Sequence, residues 1–159
     1  MCALGDAYRQ GDASMGLVSS DKKAAKLYKR AAELGSLDAM LQLGRMYDEG
    51  LGVKSDKKRA NQLYRAAADR GHATAQFNLG QMLRRQGSLE EAVVCYARSA
   101  QQGYTEAEFN LGVAYGKAQG AEFDLDEATR WIQRAAAKGH EKAIDALRRI
   151  THTHASMDS

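Results

Sequence analysis

Residues 39–71 read AMLQLGRMYDEGLGVKSDKKRANQLYRAAADRG, and their landmarks recur along the chain. Alanine-rich segments close on Gly35, Gly71, Gly103 and Gly139, spaced 36, 32 and 36 residues apart. Four residues after each stands Ala39, Ala75, Ala107 or Ala143, and four further on Leu43, Leu79, Leu111 or Leu147. The next residue is Gly44, Gly80, Gly112, and then Arg148; Leu4-Gly5 belongs to an earlier copy. Seven residues before each closing glycine come Tyr28, Tyr64, Tyr96 and Ile132. With the turn residues Gly11, Gly50, Gly87 and Gly120, twelve of the 15 glycines hold equivalent places, which chance does not give. A period of this length marks stacked supersecondary units.

The units are helical. Proline is absent, good helix formers abound, and Val, Ile and Thr are sparse. The closing glycine suits the left-handed end of a helix. The glycine after each Leu sits inside a helix, where it costs about 1 kcal/mol against Ala, a cost tolerable if it lets a neighbouring helix approach. First helices fall at about 1–10, 36–49, 72–86, 104–117 and 140–150, and second helices at about 21–34, 56–70, 88–102 and 124–138. One pair cannot bury its apolar stripe alone, but a stack of pairs does. The expected fold is all-α: an α-solenoid, a right-handed superhelix of antiparallel helix–turn–helix repeats, with a single domain over 1–150. The repeats span 1–35, 36–71, 72–103 and 104–139. A capping helix at 140–150 carries Arg148 and Arg149, and a disordered tail at 151–159 follows.

Residues 39–71 resemble a Sel-one-like repeat, a relative of the tetratricopeptide repeat. The marks are Leu43-Gly44, Tyr47, Gly50, Gly52-Val53, Asp56, Ala60, Tyr64, Ala67-Ala68 and Gly71. The resemblance covers about residues 1–150. Leu83 departs from the Tyr of the pattern, residues 75–103 use a short turn (RRQGSLEEA), and the turn at 11–20 is long. The paired cysteines of one branch of the family are missing. The resemblance implies a non-catalytic scaffold or adaptor that binds other proteins. Met1 aligns with Met40, so the first helix starts part-way through its pattern. That start fits a fragment, a native truncated start, or an edge that a partner completes.

The sequences AQFNLG (75–80) and AEFNLG (107–112) set the candidate site. On a helical wheel with Leu79 at 0°, Ala75 and Leu83 fall within about 40°, and Gln76 and Met82 within about 60°. Phe77, Arg84, Gln81, Arg85 and Asn78 lie between about 140° and 260°, away from that stripe. Family geometry turns this opposite face toward a concave groove. Leu41, Phe77 and Phe109 then form an apolar ladder, with Gln42, Asn78 and Asn110 an amide ladder beside it. Arg45, Gln81, Val113 and Arg149 make the next row, and Arg84, Arg85 and Lys117 lie toward one helix end. Amides pair with any peptide backbone. The aromatic rings would supply anchors, and the cations would favour an acidic group or terminal carboxylate. Asp38, Asp48 and Glu49, one repeat away, favour basic groups. The competing reading is structural. The rings fill gaps between adjacent first helices, the amides bond neighbouring carbonyls, and Arg84-Arg85 complement the macrodipole.

The expected ligand is thus a protein or peptide, with end-to-end packing into a larger solenoid assembly as the alternative. A net charge of +3 with interspersed signs does not point to nucleic acid, and no run of 18 apolar residues offers membrane insertion. The start MCALGDAYRQG is not a signal peptide, and two cysteines do not make a disulfide scaffold. A soluble, cytoplasmic location is favoured. Cys95 occupies a packing position, and Cys2 belongs to a distant repeat. His72 and His140 begin first helices; His152 and His154, two apart, do not have helical metal-ligand spacing. Asp21 and Asp56 are expected N-caps. The basic stretches 21–30 and 56–65 read as solubilising. The sequence carries no catalytic constellation and implies no cofactor or metal.

Overall fold

The computed structural model describes residues 1–12 and 18–157. Nine helices form in chain order among them: α1 (Cys2–Gln10), α2 (Asp21–Glu33), α3 (Leu37–Glu49), α4 (Lys57–Asp69), α5 (Ala73–Gln86), α6 (Leu89–Gln101), α7 (Thr105–Gly116), α8 (Leu125–Ala137) and α9 (Glu141–Met157). The architecture is all-α, stacked helix–turn–helix pairs of the α-solenoid class. The chain divides within α5 into two compact units, Met1–Ala75 and Gln76–Ser159. Part of the turn expected at 11–20 (13–17), the final two residues, and the side chains of His152 and His154 lie outside the described residues.

The closing glycines behave alike. Gly35, Gly71, Gly103 and Gly139 have φ of 88°, 88°, 82° and 86°. The amide after each glycine reaches back five residues, as in Ser36 N to Ala31 O (3.0 Å) and His140 N to Ala135 O (3.2 Å). These bonds satisfy the last carbonyls of the second helices. At the other turn the amide of Ser20, Asp56, Ser88 or Asp124 donates to the carbonyl of Tyr8, Tyr47, Leu83 or Tyr115, at 2.6, 2.9, 3.0 and 3.2 Å. The turn length varies while this bond is kept.

The same four residues are the N-caps of the second helices. Asp56 Oδ1 accepts from Arg59 N at 3.0 Å and Asp124 Oδ1 from Glu127 N at 2.9 Å. The expected cap Asp21 is corrected: Ser20 caps α2, accepting from Lys23 N at 3.4 Å, and Asp21 is the first helical residue. Counting back from Tyr28 and Tyr64 aligns Ser20, not Asp21, with Asp56. Two first helices are capped by histidine: His72 Nδ1 accepts from Ala75 N and His140 Nδ1 from Ala143 N, both at 3.2 Å.

The core of the first unit is alanine and tyrosine rather than large aliphatics. Ala24, Ala25, Tyr28, Ala31, Ala32, Ala39, Leu43 and Met46 pack together. Small residues bring the helices close, and the ring of Tyr28 fills the space the Gly5 side chain leaves. A methyl at Gly5 would lie 2.7 Å from Tyr28 Cε1, and one at Gly44 2.7 Å from Tyr64 Cε1. In the second unit a methyl at Gly80 would meet Tyr96 at 2.8 Å, and one at Gly112 would meet Ile132 at 2.7 Å. The expected close approach is therefore an aromatic or aliphatic knob from the second helix set into a glycine hole of the first. Each buried Leu or Met at these seams contributes about 1.5–3 kcal/mol.

The last helix differs from expectation. It continues to Met157, past residue 150, where the sequence reading places a tail. Residues 151–157 hold neither Gly nor Pro, so nothing local stops the hydrogen-bond ladder.

Candidate functional site

In the first unit α3 presents Leu41, Gln42 and Arg45, all half-buried. Gln42 Oε1 accepts from Arg9 Nη1 of α1 at 2.8 Å, so this amide is already joined to the preceding first helix. Arg45 Nε lies 3.7 Å from Glu49 Oε1. The acidic groups are paired too: Asp48 with Lys57 at 2.7 Å and Asp38 with His72 Nε2 at 3.0 Å. A separate crevice of about 430 Å³ opens between α2, α3 and α4, lined by Lys29, Met40, Leu43, Tyr47, Arg59 and Leu63 among others. Sequence reasoning assigned Leu43 and Leu63 to packing and Lys29 and Arg59 to solubilising stretches, and missed the opening. The signal was Tyr47, whose position follows the glycine row by three, and which carries Arg59 5.5 Å from its ring centroid.

In the second unit the two phenylalanines are spacers. Phe77 is only 7% exposed. Its ring lies 5.1 Å from that of Tyr104, at the start of α7, and 5.9 Å from that of Tyr96. Phe109 is half-buried against Ile132, Ala135 and Ala143, and stacks on His140, at the start of α9, at 4.6 Å. Each ring thus packs on the residue that follows the next closing glycine. The gap-filling reading describes both, and Phe77 offers no free ring to a ligand.

The polar positions differ. Asn78, Gln81, Asn110 and Val113 are half-buried, while Arg84, Arg85 and Lys117 are exposed. A cavity of about 120 Å³ gathers Arg84 from α5, Leu89, Ala92, Val93 and Tyr96 from α6, Asn110, Val113 and Ala114 from α7, and Gln119 beyond it. Arg84, Asn110 and Val113 are therefore brought together; Asn78, Gln81, Arg85 and Lys117 do not line this cavity. Sequence reasoning missed Tyr96, which the repeat marks only as a packing residue. Burial pushes its phenol above the ordinary range, and the charges and donors of Arg84 and Asn110 oppose that rise.

A second polar cluster is structural. Glu108 is fully buried, and its Oε1 accepts from Lys138 Nζ at 2.9 Å and from Arg134 Nε at 3.1 Å. Lys138 also donates to Gly103 O at 2.8 Å, and Arg70 donates to Gly35 O at 3.0 Å. Cations thus satisfy carbonyls at the ends of earlier second helices. Cys2 and Cys95 are not in a disulfide. No described helix is long and apolar enough to cross a membrane.

A family model described as the Sel1 repeat matches residues 1–36, 37–72, 73–104 and 105–140. A protective antigen present in uropathogenic Escherichia coli strains, displaying an SLR fold, is 30% identical with a TM-score of 0.87; the match covers 96% of this chain and 33% of that one. A Sel1 repeat protein from Oxalobacter formigenes is 31% identical with a TM-score of 0.81, covering 92% of this chain and 59% of that one. Among curated proteins, Activator of C kinase protein 1 of Saccharomyces cerevisiae is 53% identical over 38 residues, 24% of this chain and 6% of that protein. The chain therefore spans only part of the length of each.

Proposed function

From the premise that this chain belongs to the Sel1 repeat family, whose members are generally non-catalytic protein-interaction scaffolds, we propose that it binds a peptide or partner protein on the exposed faces of its first helices. Asn78, Gln81 and Asn110 would hold the ligand backbone, with Arg84, Arg85 and Lys117 meeting acidic groups. Leu41, Gln42 and Arg45 form the corresponding row of the first unit. Phe109 contributes its half-buried edge, and Phe77 sets the spacing of the wall. The observation that carries the reading is the second unit's cavity, where Arg84, Asn110 and Val113 line one opening. Each of these half-buried amides, Asn78 and Asn110, can both donate to and accept from a peptide backbone.

Selection of a displayed random-peptide library on the folded protein supplies a ligand for the test. In calorimetry, the double variant Asn78→Ala with Asn110→Ala is expected to bind the selected peptide at least about tenfold more weakly, a loss of about 1.4 kcal/mol. Unchanged affinity in a folded double variant overturns the groove.

A second reading is packing end to end into a larger solenoid. Met1 and Leu4 on the first helix leave apolar surface exposed, and the similar structures are longer chains. Light scattering that shows a monomer up to millimolar concentration argues against it.

A further inference from the structure

Tyr28 and Tyr96 hold the same place in their repeats, yet their hydroxyls end differently. Tyr28 donates to Asp6 Oδ1 at 2.6 Å, and Asp6 directly follows Gly5. The residue that follows Gly80 is Gln81, and the hydroxyl of Tyr96, a residue only 2% exposed, makes no hydrogen bond of good geometry, while Arg84 and Asn110 lie near enough to act on it. An unmet buried hydroxyl is costly, so its position at the edge of an opening has a chemical meaning. Arg84, which only donates, and Asn110 line the same cavity. No carboxylate is among the lining residues, and the remaining wall is Leu89, Val93, Val113, two alanines and the amide of Gln119. Donors converge, and no carboxylate of the chain meets them.

The geometry points to a binding site for a carboxylate carried on a short apolar stem, received by the Arg84 guanidinium, the Tyr96 hydroxyl and the Asn110 amide. A guanidinium and a hydroxyl together suit the two oxygens of a carboxylate, and the apolar wall fits the methylenes behind it. Exposed Arg84 marks the mouth, and buried Tyr96 marks the floor. The site deepens the groove reading and rests on it for its place in a protein ligand: the carboxylate is a Glu side chain or a chain terminus of the bound peptide.

The test is titration with butyrate against its neutral analogue butyramide, at fixed ionic strength and neutral pH, read by NMR at the Asn110 side-chain amide and Arg84 Nε. Butyrate is expected to give saturable shifts and butyramide none. Tyr96→Phe should weaken butyrate about fivefold and Arg84→Gln about tenfold or more. Equal responses to the two compounds, or wild-type binding by both variants, overturns the site. Should Tyr96→Phe fail to fold, Arg84→Gln, at an exposed helix end, carries the test alone. Two peptides separate the sources: one with an internal Glu and an amidated end, one without acids and with a free end. If selected peptides lose affinity on Asn78→Ala yet carry no acid and ignore Arg84→Gln, the carboxylate site fails and the groove stands. If butyrate binds and no peptide does, the groove fails and the site stands.

Discussion

Glu108 shows how one position is solved three ways. Five residues past successive closing glycines stand Met40, Gln76 and Glu108. Met40 packs against the apolar core of the first unit. Gln76 is buried and accepts from Gln102 Nε2 at 2.8 Å. Glu108 is fully buried between Arg134 and Lys138, whose side chains remain 51% and 39% exposed. Those two cations are free to return to water, so removing the acid strands no buried charge. Glu108→Ala should cost about 2–4 kcal/mol in urea unfolding, through the cavity and the lost charge-assisted bonds. Glu108→Met should cost less than half of that, since Met already serves in the equivalent place. Equal losses would show that the charge matters and the volume does not. At this scale the sequence was only partly legible. The wheel showed that Phe77 points away from its partner helix, but a wheel knows one neighbour. A first helix in a stack has other first helices beside it, and Phe77 and Phe109 meet the start of the next one. The polar tip of Tyr96 stayed hidden because the repeat recorded its ring and not the loss of the acid that Tyr28 enjoys.

Between elements, the glycine row is the device that sets helix spacing. Gly80 faces Tyr96 Cε1, with Ala92 O at 3.2 Å from where a methyl would stand. The ring cannot retreat freely, because Phe77 packs on it. Gly80→Ala gains about 1 kcal/mol of helix propensity, yet is expected to destabilise by about 1–3 kcal/mol through overpacking. In a Tyr96→Ala background the same substitution should lose most of its cost, and a double-mutant cycle measures the coupling. Additive effects would mean that the ring and the glycine are independent. Here the sequence was legible almost to the residue. Eight helices were placed within a residue or two because caps and closing glycines recur in register. Asp21 misled because an acid at the first helical position also suits the helix dipole, and the aligned Ser20 is the weaker signal. The extension of α9 left no trace, since no stop residue and no apolar periodicity spoke either way.

For the molecule as a whole, alkaline pH is the informative variable. Burial pushes the phenols of Tyr28 and Tyr96 upward, and the bond to Asp6 adds to the rise at Tyr28. A phenol raised in the folded state favours folding while it stays protonated. That contribution is present below the unfolded value of about 10 and is lost as pH rises through the folded values. Stability measured by urea titration should therefore be level to about pH 9 and fall steadily above 10. Tyr28→Phe and Tyr96→Phe should each make the fall shallower. A profile as steep in both variants as in the wild type would assign the loss to other groups.

The bonds from Arg70 to Gly35 and from Lys138 to Gly103 each join residues 35 positions apart. Donor and acceptor hold the same places in consecutive copies, so the contact belongs to the joint between copies rather than to either one. A gene that gains or loses a whole unit by unequal recombination would then find the joint already made, with the incoming cation beside a waiting carbonyl. Where such a cation precedes the closing glycine, length can drift without a fresh solution being evolved for the new helix end.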